Sequence, residues 1–134
     1  MIREDYLLRL IRDFAEFVKR VIEIRVEEQD PQRAVDEIAR GYEELLGMPP
    51  GLADVIDGRT MAGMLRSADR MRAAAALSRE EGHAYRAMGD PLNAVARYRR
   101  AHTLYLEARA LDPHEEDDAN LFELSRLGQV HLDR

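Results

Sequence analysis

Gly82-His-Ala-Tyr85-Arg-Ala-Met-Gly89-Asp-Pro-Leu-Asn-Ala94-Val-Ala-Arg-Tyr98-Arg-Arg-Ala101 decides the fold. It reads as two antiparallel helices joined by a tight turn. Gly89 supplies the positive-φ residue that closes the first helix. Asp90 caps the second, and Pro91 fits its first turn, where no backbone N–H is needed. Gly82, Ala84, Ala94 and Ala101 are small where two helix backbones must approach. Tyr85 and Tyr98 are the wedges that fill the gap.

These spacings resemble a tetratricopeptide repeat, a helix-turn-helix unit of 34 residues. Gly82, Tyr85, Gly89, Ala94, Tyr98 and Ala101 occupy that family's small and large positions. Ser78, Glu81 and Leu106 depart from it, standing where the family often has Trp, Leu and the closing Pro. The pattern also covers under a third of the chain. Tyr105-Leu-Glu-Ala108 to Asp112-Pro113 repeats the closing pattern seven residues on, as a second helix lengthened by two turns would. The opening run Asp5-Tyr-Leu-Leu-Arg9-Leu-Ile11 is similar to the first helix of a bacterial family of small helical proteins. That family has no established activity, so the likeness implies a fold and no function.

Upstream, Asp30-Pro-Gln-Arg-Ala34-Val35 echoes Asp90-Pro-Leu-Asn-Ala94-Val95 at an offset of 60 residues. The expected architecture is all-α: one domain over residues 1–134, with two hairpins in a short TPR-like right-handed superhelix. A C-terminal helix from the acids Glu115–Asp118 through Leu121, Phe122, Leu124, Leu127 and Val130 closes it, as capping helices close solenoids. Between the hairpins, Gly47-Met-Pro-Pro-Gly51 breaks the chain and Leu52–Ile56 suits a short turn. Thr60 is placed to cap a helix with Met61, Met64 and Leu65, with a kink or break expected around Ser67–Asp69.

Glu4 to about Glu28 reads as one long helix. Leu7, Leu10, Phe14, Phe17, Val21 and Ile24 keep the 3–4 spacing of a helical seam. Leu8, Ile11, Val18 and Ile22 widen the apolar arc beyond half the circumference, more than the roughly 100° that one neighbour needs. The helix is therefore either central to the monomer or shared with a second copy, the seam then being a homodimer interface.

A chain of 134 residues suits one core and buries roughly two-thirds of its unfolded surface. It has no Cys, so disulfides and thiolate metal sites are excluded. No apolar run has the length of a membrane span, and the acids in the first five residues do not suit a signal peptide; a cytoplasmic protein is the expectation. The net charge of −6 argues against a general nucleic-acid binder. Charge is uneven, with −6 over residues 1–58, +5 over 59–109 and −5 over 110–134, so the acidic ends can pack on the basic middle.

Chemistry-bearing motifs are few. There is no nucleophile elbow and no phosphate-cradling glycine loop. His83, His102, His114 and His131 lack the three- or four-residue spacing of a helical metal pair, and neither metal nor cofactor is expected. Asp36-Glu37 and Glu43-Glu44 read as solvent faces; no carboxylate pattern suggests burial.

One stripe stands out. Arg72, Arg79, His83 and Arg86 follow at spacings of seven, four and three, which puts them on one face of a helix. The repeat resemblance implies that Arg79, His83 and Arg86 line an inner groove, where related repeats hold peptide carboxylates. Arg binds such groups through paired hydrogen bonds. An acidic peptide or protein is then the expected partner, with the stripe at least half exposed. The alternative is internal pairing with the acidic ends. The leading expectation is a non-enzymatic protein-interaction module. A small helical enzyme or ligand carrier is the alternative, recognisable by an enclosed pocket with convergent polar groups.

Overall fold

A computed structural model describes residues 2–129, with the side chains of residues 2–4 and 7 left aside. The described residues form α1 (Ile2–Ile22), running into a π-helical turn (Glu23–Glu27), then α2 (Pro31–Glu44) and a 3₁₀ turn (Leu52–Asp54). There follow α3 (Gly58–Leu65), α4 (Ala68–Ala87), α5 (Pro91–Leu111) and α6 (Asp117–Leu127). The described structure is all-helical, without strands, as expected. Val130 and His131 lie outside the described residues.

The deciding hairpin is α4–α5, the most extensive packing in the molecule. Gly89 sits at φ 77° in the turn. Asp90 accepts from Asn93 N at 3.2 Å, capping α5 with Pro91 behind it. Gly82 is where the helices meet: a Cβ there would stand 2.5 Å from Tyr98 Cε1. Ala84, Ala94 and Ala101 are buried around the same contact.

Near its start, α2 is built like α5. Asp30 accepts from Arg33 N at 3.1 Å and Pro31 follows, with Ala34 buried where Ala94 is buried. Gly41 admits the Phe17 ring, whose Cε2 would lie 2.6 Å from an added Cβ. So α1 packs on α2 as a second hairpin. Both lie against α4, while α3 and α6 lie against α5.

One boundary differs from the sequence reading. The cap of α3 is Asp57, whose carboxylate accepts from Thr60 N at 2.8 Å; Gly58 starts the helix, and Thr60 lies inside it. Arg66 takes φ 68° and ends α3, and Ser67 caps α4 by accepting from Arg70 N at 3.1 Å. The expected break is therefore complete, and separates two helices.

Candidate interaction surfaces

A polar cluster sits inside the helical core. Arg100 is buried on α5 and spends every N–H. Its Nε donates to Ser78 Oγ at 3.0 Å, and its Nη2 to Tyr42 OH at 2.8 Å and Glu81 Oε1 at 2.7 Å. Its Nη1 donates to the carbonyls of Ala53 and Ile56. Tyr42 OH in turn donates to Glu81 Oε1 at 2.7 Å. The other carboxylate oxygen of Glu81 faces Arg97 Nε at 3.3 Å, while Arg97 Nη2 donates to Asp54 at 2.6 Å. Burial pushes the Glu81 carboxyl up, and Arg100 and Arg97 oppose it. Burial also pushes the Tyr42 phenol up, so it stays a protonated donor.

Beside this cluster lies a half-open cavity of about 300 Å³, walled by Val35, Tyr42, Tyr85 and Glu81 with Asp36 and Glu43 at its rim. A buried carboxylate here departs from the expectation that none is buried. A buried polar group is costly unless satisfied, and here the partners come from α2, α4, α5 and the 53–56 turn. The polar floor is thus committed to holding those elements together. Among the described residues, no three His, Asp or Glu side chains gather as a metal site, and no helix is long and apolar enough to cross a membrane.

The basic stripe on α4 divides in two. Arg72 reaches the start of α6, with Nε at 3.0 Å from Asp117 Oδ1 and Nη2 at 2.8 Å from Oδ2. It also donates to the carbonyl of Asp112 at 2.5 Å. Asp117 is buried, accepts from His114 N at 2.8 Å, and is held below the usual carboxylate range chiefly by the Arg72 hydrogen bond. Arg79 donates to Asn120 and Glu123, both at 3.1 Å. The side chains of Arg72 and Arg79 are 14% and 23% exposed, so the expected half-exposure fails at both. The reason is the acidic sixth helix, which supplies their counter-charges.

His83 is partly buried. Its Nδ1 lies 2.8 Å from Tyr98 OH. Burial, with Arg25, Arg86 and Arg79 nearby, pushes it down to about 4 from 6.5. It is a neutral imidazole at neutral pH, and contributes no charge to a carboxylate clamp. Arg86 alone in the stripe is exposed, its guanidinium 5.9 Å from the Tyr98 ring centre. Arg25, in the π turn, pairs with buried Glu80 at 3.2 Å.

The first helix carries two seams rather than one. Leu10, Phe14 and Phe17 are partly buried, and Val21 and Ile24 are fully buried. Val21 and Ile24 are buried within the monomer, so these two do not belong to a dimer interface; Leu7 lies outside the described side chains. Of the residues that widened the arc, Leu8 60%, Ile11 52% and Ile22 37% are exposed, and Val26, 53% exposed, extends them as a second row. Exposed Ala15 and half-buried Val18 complete it. Between α1 and α4, a recess of about 200 Å³ is lined by Leu10, Ile11, Phe14 and Ala73, with Asp69 and Arg72 at its edge.

Comparison with protein families, curated proteins and solved structures finds no match to this chain. Its surfaces therefore rest on their own geometry. Sequence reading missed Glu80, Glu81, Arg100 and Asp117 as buried charges. The available signal was α4 itself. Its Ala73-Ala-Ala-Ala76 run and its weak sidedness mark a helix surrounded by neighbours, in which any charge needs a partner.

Proposed function

We propose that the chain is a non-enzymatic protein-interaction module on a TPR-like scaffold, and that it meets its partner through the outer row of α1. One observation carries this reading: Leu8, Ile11, Ile22 and Val26 form a continuous apolar row left open to solvent. Single exposed apolar residues are ordinary, but a contiguous row on one helix marks a contact surface. The TPR-like arrangement is supported by the like caps at Asp30 and Asp90 and by the close approaches at Gly41 and Gly82. The α4 stripe supports a peptide groove less well, because Arg72 and Arg79 are spent on α6. The cavity over Tyr42 and Glu81 supports a carrier or enzyme less well, because its polar floor is already paired.

The test is a photo-crosslinking residue placed at Ile11 in living cells, with the same residue at Leu92 as control. Leu92 is 75% exposed and lies outside the row. Protein adducts from position 11 and not from 92 are expected. Equal yields from the two positions, or none from position 11, would remove the reading.

A further inference from the structure

We infer that the cavity between α2 and α4 binds an alkylammonium group, seated against Glu81 and held by the acids Asp36 and Glu43 at its rim. The site is separate from the outer row of α1. The cavity holds about 300 Å³, at the lower end of the roughly 300–1,000 Å³ of small-ligand sites. Its charged lining is of one sign: Asp36, Glu43, Asp54 and Glu81 line it, and no base does. The pairing of its floor leaves one acceptor over. Glu81 Oε1 takes the bonds from Tyr42 OH and Arg100 Nη2. Glu81 Oε2 lies 3.3 Å from Arg97 Nε, but that N–H is out of line and bonds to nothing among the described residues. Glu81 is only 4% exposed, so Oε2 is a buried carboxylate oxygen without a hydrogen-bond donor, on a residue that lines the cavity. An unmet buried acceptor is costly until a donor reaches it, and an ammonium brings three.

Charge around the cavity agrees. Arg100 and Arg97 offset Glu81 and Asp54. Asp36 accepts from the neutral Gln32 at 3.1 Å. Arg40, about one turn from both Asp36 and Glu43 on α2, is spent on Glu37 at 2.5 Å. Asp36 and Glu43 therefore remain as two negative charges without a basic partner among the described residues. They stand seven residues apart on one face of α2, with the small Ala39 between them. Among the described residues no three acids gather as a metal site. Carboxylates spread around an apolar and aromatic wall suit an extended organic cation better than a metal ion. The alkyl stem packs on Tyr42 and Tyr85, which line the same cavity, and aromatic rings also attract an ammonium.

Two probes carry the same group: cadaverine, and a lysine tripeptide blocked at both ends. Pentanediol is the uncharged control. Each is titrated into the full chain and followed by backbone amide NMR. Saturable shifts are expected around Asp36, Glu43, Asp54 and Glu81 from at least one probe, and none from pentanediol. A response to cadaverine alone assigns the site to free amines, and a response to the tripeptide assigns it to lysine side chains of a partner; either supports the proposal. Asp36→Asn with Glu43→Gln should weaken binding about tenfold, as loss of two half-solvated charge contacts would. Ala39→Leu fills the cavity from an exposed position, so it should abolish binding while circular dichroism stays that of the wild type. Undiminished binding by Ala39→Leu, or shifts equally large along the acidic start of α6, would mean that amines gather on the negative surface at large and would overturn the proposal. The absence of a saturable shift with either probe at about 10 mM, well above a millimolar Kd, would overturn it as well.

Discussion

Arg100 Nη2 and Glu81 Oε1 stand 2.7 Å apart in the interior, on the two helices of the central hairpin. The pair is buried; both side chains hydrogen-bond Tyr42, and Arg100 also donates to Ser78. Removing one partner strands the other charge in the helical core. Glu81→Leu should therefore cost about 3–5 kcal/mol. Glu81→Leu combined with Arg100→Met removes both charges and should recover part of that loss, with Tyr42 and Ser78 still bonded to each other. Urea unfolding of the two singles and the double closes the cycle. Additive losses would mean that the two side chains do not depend on each other.

The glycines of the hairpin and of α3 separate close approach from flexibility. Gly82→Ala drives a methyl group into Tyr98, whose ring lies 2.5 Å from the new Cβ. Overpacking of this kind costs about 1–3 kcal/mol. Gly63 lies inside α3 with nothing within 4 Å of its Cβ position. Gly63→Ala should stabilise by about 0.5–1 kcal/mol, since Ala loses less freedom in a helix. Thermal melts of the two variants should move in opposite directions. A shift in the same direction would place the helix contact elsewhere than Gly82.

These two cases show what was legible in the sequence. Turn and cap residues act over a few positions, so Gly89, Asp90-Pro91 and Asp30-Pro31 identified the helix starts directly. Small residues opposite large ones located the α4–α5 contact. Which side of α1 faces inward was not legible. Both rows have helical spacing, and only the position of α2 and α4 decides that Phe17 and Val21 go in while Leu8 and Ile11 stay out. The burial of Glu81 and Arg100 depends on five acceptors from separate segments converging, and no local pattern records that. The stripe on α4 was found as a geometric face. Its counter-charges came from α6, some forty residues away, so the partner was visible only as an acidic segment.

Acid should reveal two stages. His83 is pushed down to about 4 by burial and by Arg25, Arg86 and Arg79, from an ordinary 6.5. Between those values the unfolded chain takes up a proton at this residue and the folded chain does not. Stability should fall as pH drops through that window. Below the ordinary 3.8, Asp117 follows, because its depressed value makes the pair with Arg72 a contribution that is lost as pH falls. His83→Gln keeps a polar neighbour for Tyr98 and cannot titrate. Its stability should depend less on pH between 6.5 and 4 than that of the wild type. Unfolding midpoints with identical slopes in both proteins would show that His83 is free to protonate in the folded state.

Arg72 and Arg86 lie on one face of one helix, yet they should behave differently. Arg72 holds the first turn of α6 through Asp117 and the Asp112 carbonyl. Arg72→Ala leaves the buried Asp117 with the backbone of His114 as its remaining hydrogen-bond donor. Losing hydrogen bonds to a charged group costs on the order of 1–3 kcal/mol. The loss should be local as well as global: amides of α6 should exchange faster, because its cap is no longer tied to α4. Arg86 is exposed, with its guanidinium 5.9 Å from the Tyr98 ring centre. Arg86→Ala should change stability by less than about 0.5 kcal/mol and leave α6 protected. Hydrogen exchange resolved along the chain distinguishes the two. Unchanged protection of α6 in Arg72→Ala would mean that α6 is held by Leu121 and Leu124 against α5, and that the charged end of the stripe is available to a partner after all.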